Sequence, residues 1–138
     1  MTMWRQQWQI NLCVLGAFLL SCFHVGAAGQ LEIVKVEPTP LFPKTEPGQP
    51  LRQRALLYLN NSGAPLALTA RITLGTSSTA EALGQVPTGQ STNAILVPDI
   101  AAPSNLIIEL LPKDGDGVLA RHQLNWQPQK KWKIYCVS

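Results

Sequence analysis

From Gln30 onward, apolar residues recur at every second position in short runs, and nowhere at the three- and four-residue spacing of an amphipathic helix. Successive side chains of a strand point to opposite faces, so this rhythm selects β-structure with one face buried. The clearest run is Leu66 to Leu74, where Leu66, Leu68, Ala70, Ile72 and Leu74 share one face and Thr69, Arg71 and Thr73 the other. Leu31 to Glu37 places Leu31, Ile33 and Val36 among Glu32, Lys35 and Glu37. Gln53 to Asn60, Thr92 to Pro98 and the strongly apolar Leu106 to Leu111 read as further strands. Val118 to Trp126 sets Val118, Ala120, His122, Leu124 and Trp126 against Leu119, Arg121, Gln123 and Asn125. Gly75 to Gly89, rich in Ser, Thr, Ala and Gly, carries only weak strand character.

Turn residues separate these runs. Pro38 to Pro50 holds five prolines, which cannot donate ladder hydrogen bonds, and predicts a loop or a segment crossing between sheets. Asn61 to Pro65 and Lys113 to Gly117 are turns by composition. Short alternating strands spaced by turns predict an all-β fold, an immunoglobulin-like β-sandwich over residues 30–127. No Cys-Trp-Cys spacing is present, so an antibody-type domain is not implied.

The N-terminus has a different character. Residues up to Asn11 are polar with one positive charge, Arg5. Ile10 to Phe23 is almost unbrokenly apolar, yet shorter than the roughly 20 residues of a membrane span. Gly26-Ala27-Ala28-Gly29 then supplies the small residues a signal peptidase accepts. The three parts predict a signal peptide over residues 1–28 and a secreted or periplasmic protein. An uncleaved anchor helix is the other reading. Leu19-Leu20-Ser21-Cys22 is similar to a bacterial lipobox, which would lipidate Cys22 and tether the protein to the envelope membrane. Leu20 departs from the small residue usual there, and cleavage near Ala28 is the preferred route. With Cys13 and Cys22 in the leader, Cys136 is left alone, which excludes an internal disulfide.

Charge and chemistry narrow the function classes. Charged residues make up 14% of the chain, and the formal net charge of +3 includes Arg5. The cluster Lys130, Lys131, Lys133 is too small for the basic face that nucleic acid requires. His122 is the one histidine beyond the leader, too few for a zinc site, and reads as a core or edge residue. Asp114-Gly115-Asp116-Gly117 supplies two carboxylates where calcium takes six to eight oxygens, and reads as a turn. No Gly-x-Ser-x-Gly elbow occurs, and Glu81, Asp99, Glu109, Asp114 and Asp116 fall at strand ends and turns. Asn60-Asn61-Ser62 fits a glycosylation sequon, although a turn accounts for it. No catalytic residue, metal site or cofactor is expected.

Aromatic faces carry much sugar recognition, and Trp126 and Trp132 flank the break at Gln127-Pro128-Gln129. They are candidates for a glycan or interdomain contact, with burial as the plainer alternative. After the break, Trp132 to Val137 begins a new strand, and residues 128–138 are expected to be a linker and the first strand of a further domain. Trp126, Trp132 and Lys133-Ile134-Tyr135-Cys136-Val137 resemble the approach to the catalytic domain in secreted bacterial proteins of the glycoside hydrolase family 38 (α-mannosidase) type. The corner Leu59-Asn60-Asn61-Ser62-Gly63-Ala64-Pro65-Leu66 is similar to one in accessory sandwich domains beside such enzymes. The resemblance implies an exported non-catalytic N-terminal module whose partner is a following catalytic domain. The family's zinc-binding His-Ser-His-x-Asp motif is absent, so its activity does not carry onto these residues. A stand-alone envelope domain for glycan or protein is the alternative.

Overall fold

A computed structural model describes residues 30–43 and 46–131. The leader with Cys22, and the C-terminal stretch with Trp132 and Cys136, lie outside the described residues. Seven strands follow in chain order: β1 (Leu31–Pro38), β2 (Arg52–Asn61), β3 (Leu66–Leu74), β4 (Ser77–Val86), β5 (Gly89–Pro98), β6 (Ser104–Pro112) and β7 (Ala120–Trp126). They form two antiparallel sheets, ordered β1-β2-β5 and β4-β3-β6-β7. The chain is therefore the all-β sandwich that its alternation predicts.

The inner faces supply the core. Ala55, Leu57 and Leu59 of β2, with Ile95 and Val97 of β5, face Leu68, Ala70 and Ile72 of β3 and Leu106, Ile108 and Leu110 of β6. Each fully buried Leu or Ile contributes about 1.5–3 kcal/mol relative to exposure. The face read for β3 is the face that is buried, apart from Leu66 at its half-buried end.

Three departures from regular alternation have local causes. In β1 the apolar positions 31, 33 and 36 slip phase, and the pairing explains why. Ile33 sits opposite Leu59 and Lys35 opposite Tyr58, so one extra residue, Val34, bulges out of register. The bulge returns Val36 to the inner side and leaves Val34 52% exposed. In β7 the strand begins at Ala120 rather than Val118. Val118 is exposed, while Leu119 turns onto the core and donates its N–H to the Leu110 carbonyl.

The third departure is β4, a ten-residue strand where the composition gave only weak signal. Its small side chains suffice because it is an edge strand with one neighbour. The constant-type immunoglobulin arrangement puts the fourth strand beside the first. Here Leu74 pairs with Ser77 across a two-residue turn, Gly75-Thr76, which keeps β4 beside β3. Gly75 has φ +60°, a conformation that favours glycine at the first central position of such a turn.

One end of the sandwich is tied by a buried amide. Asn61 ends β2 facing inward and is 1% exposed. Its Nδ2 donates to the carbonyls of Ala64 (3.0 Å) and Pro87 (3.2 Å), and its Oδ1 accepts from the Gly63 N–H (3.0 Å). It thus joins the β2–β3 turn to the β4–β5 crossover. Ser62 adds its N–H to the Gln30 carbonyl at 2.7 Å. A Cβ on Gly63 would come within 2.6 Å of Gln30 Oε1, so glycine permits the close approach. Asn61→Ala is expected to destabilise the fold by about 2–3 kcal/mol, because it strands a buried N–H and two carbonyls. Asn60→Ala, one position away on the outer face, should stay within about 0.5 kcal/mol. Urea unfolding midpoints of the two variants check this.

Candidate functional site

The acidic residues singled out as chemistry go to different parts of the molecule. Glu81 lies on edge strand β4 and bridges to edge strand β5, its Oε2 accepting the Leu96 N–H at 3.0 Å. Its Oε1 takes Arg52 Nη1 at 3.5 Å. Asn93 of β5 reaches back, with Nδ2 3.4 Å from the Leu83 carbonyl. These contacts close the seam between the two sheets. Glu109 lies on the outer face of the four-stranded sheet, between Arg71 on β3 and Arg121 on β7, its cross-strand neighbours. Arg71 Nη2 is 2.7 Å from Glu109 Oε2, and Arg121 Nε is 3.9 Å from Oε1. Asp114 and Asp116 are exposed in the β6–β7 connection. No group of three or more potential metal ligands occurs among the described residues.

His122 faces Ile108 across the ladder and is half-buried at the inner side of β7, an edge strand. No Ser or Cys nucleophile is placed against it by any described hydrogen bond. A shallow hollow of about 260 Å³ is lined by Gln30, Leu31, Asn61, Ala64, Pro65, Leu66 and Leu119. It falls below the range typical of small-molecule pockets. Its buried amide, Asn61, is already spent on the backbone.

On the outer face of β1 and β2, Lys35 Nζ lies 4.2 Å from the Tyr58 ring centroid and 3.1 Å from Glu37 Oε2. The Lys35 hydrogen bond, followed by one from the Tyr58 hydroxyl, holds the Glu37 carboxyl below the usual range. The same Glu37 hydrogen bond raises the Lys35 ammonium. The depressed carboxyl adds stability above its unfolded pKa and loses it as pH falls through the folded value. The raised ammonium loses its share as pH rises through its own. Both groups are exposed, so salt screens the pair. Lys35 occupies a face of the Tyr58 ring that a sugar would need.

Trp126, a candidate for glycan contact, is 2% exposed and belongs to the core. It ends β7 opposite Ser104. Its Nε1 is buried without a hydrogen-bond partner, which suits a ring placed for its apolar area. A ring so covered presents no stacking surface. Trp132, its proposed companion, and Cys22, the lipidation candidate, are outside the described residues.

A feature that sequence reading missed lies just past Trp126, at the pole opposite Asn61. Lys131 Nζ pairs with Asp99 Oδ2 and lies 5.6 Å from the Phe42 ring centroid. Asp99 follows β5 and donates its N–H to the Leu51 carbonyl at 2.9 Å. Leu41 accepts from the Arg54 N–H at 2.8 Å, which continues the β1–β2 pairing to this end. The chain thus passes under the sandwich among Leu41, Phe42, Leu51 and Ile100. Leu41 and Leu51 are 54% and 37% exposed. The other large exposed apolar side chains, Val34 and Val118, lie apart, in the β1 bulge and the β6–β7 loop. Only the proline-rich composition of Pro38 to Pro50 hinted that this segment would frame an end of the fold.

No family model, no curated protein and no solved structure matches the chain.

Two outcomes follow from these placements. Glu81→Ala should cost about 1–2 kcal/mol, the range for a partly exposed charged hydrogen bond to backbone, as read by chemical denaturation. In a Trp132→Phe variant of the leaderless chain, Trp126 is the sole indole. Its emission should be blue-shifted, resist acrylamide, and stay unchanged across a glycan panel.

Proposed function

We propose that the chain is an exported, non-catalytic β-sandwich module, the N-terminal accessory part of a polypeptide of the family 38-like glycoside hydrolase type. The observation that carries the docking part of this reading is the exposed leucine pair, Leu41 and Leu51, at the pole where the chain leaves the sandwich through Lys131. Exposed apolar area gathered at one place is characteristic of an interaction surface. The hydrolase association rests on the likeness of Trp126, Trp132 and Lys133 to Val137 to the approach to such a catalytic domain. Export rests on the leader pattern of residues 1–28, with cleavage near Ala28 favoured over lipidation at Cys22.

The dispersal of the acids supports a non-catalytic role. Ordinary glycoside hydrolysis needs two carboxyl groups facing one bond, about 5–9.5 Å apart. Glu81, Asp99 and Glu109 are each held by a cation in a separate place.

The encoding DNA beyond the codon for Ser138 tests the association. A His-Ser-His-x-Asp sequence there, in frame or one frameshift away, is the expected result. A stop codon followed by unrelated sequence would remove the hydrolase association. An independent envelope domain, with Lys131 and the leucine pole at its interface, would then take its place.

A further inference from the structure

We propose that the apolar pole formed by Leu41, Phe42, Leu51 and Ile100 is a docking surface, and that its occupant is the chain's own continuation, Trp132 to Ser138. This deepens the module reading and rests on it for taking this pole as an interface. The two can fail separately, because the encoding DNA decides the hydrolase association and the experiment below decides the pole.

Tethering favours this occupant. Lys131 is held at the pole by Asp99 and the Phe42 ring, so the next residue, Trp132, starts beside the surface. Consecutive Cα atoms are about 3.8 Å apart, and seven residues reach at most about 25 Å. The pole spans three neighbouring backbone segments of one sheet, at about 4.8 Å each. They are Leu41 beside Arg54, the start of β2, and Asp99 beside Leu51. Every part of it is within reach. A short tether supplies an effective concentration on the order of millimolar, far above that of a second copy at micromolar protein.

Chemistry agrees with reach. In an extended run, Trp132, Ile134 and Cys136 would alternate with Lys133, Tyr135 and Val137, so either side offers apolar groups. The pole offers two half-exposed leucines, a phenylalanine and an isoleucine, with Asp99 as the acidic group at its rim. Asp99 is engaged by Lys131, which leaves the apolar groups as the surface to be covered.

Cys136, the one cysteine beyond the leader, gives the readout. The leaderless chain would be treated with an aromatic disulfide reagent, in buffer and in urea, at protein concentrations spanning about two decades. The expected result is a thiol that reacts about tenfold more slowly in buffer than in urea, independent of concentration. An intramolecular docking of about 1.4 kcal/mol gives that factor. Leu41→Lys with Leu51→Lys should restore most of the urea rate, while circular dichroism still reports a folded sheet. Asp99→Asn, which loosens Lys131 without touching the apolar groups, should raise the rate part-way. A native thiol as fast as in urea would overturn the proposal. Protection that neither variant relieves would overturn it too, and protection that grows with concentration would assign the surface to a second copy.

Discussion

A sandwich of three and four strands has four open edges, and each edge is a row of backbone donors and acceptors that another chain could pair with. In this protein every edge carries a local device against that. Strand β1 has the Val34 bulge and ends at Pro38. Strand β4 turns Glu81 inward, and its pairing with β3 slips beside Gly84, which has φ +74°. Strand β5 gives its Leu96 N–H to that same Glu81 and ends at Pro98. Strand β7 is the shortest strand and carries Arg121. Glu81 serves two edges at once, and it does so because β4 stays with β3 instead of joining β5.

Alternation was readable where strands are regular. Leu66 to Leu74 and Ala120 to Trp126 assign their own faces, because a side chain's side is set by its parity along the strand. Parity fails at an insertion, and Val34 is one. The spacing of Leu31, Ile33 and Val36 already carried the slip, but only the partner strand shows which residue was extruded. The Ser/Thr/Ala-rich stretch behind Gly75 was harder for another reason. An edge strand buries little and needs few apolar residues, so its sequence lacks the signal that central strands give.

The candidate site was legible in part. That Trp126 follows the inward parity of β7 was visible, and the structure makes it a core residue. Its role as a sugar platform depended on the end of the strand being open, which only the assembled sheets decide. The acids were visible as residues but not as pairs: Arg71 and Glu109 are thirty-eight positions apart, and the β3–β6 ladder brings them together. The leucine pole was invisible, since Leu41, Leu51 and Lys131 meet only through the ends of β1, β2 and β5 and the segment after β7.

The two poles are finished by different chemistry. At one, Asn61, Ser62, Thr88 and the Gln30 carbonyl consume the polar groups of four segments in mutual hydrogen bonds, so the chain's entry is fixed to the turn beside it. At the other, Gln53 secures the Thr39 carbonyl and Asp99 takes Lys131, yet two leucines stay half in water. A leucine at a turn adds nothing that a polar residue would not, and exposing it forgoes the roughly 25 cal/mol per Å² that burial would return. The hydrogen-bonded pole is complete as it stands. The leucine pole reaches the same completeness only when further polypeptide covers it, and the chain leaves the sandwich at that point.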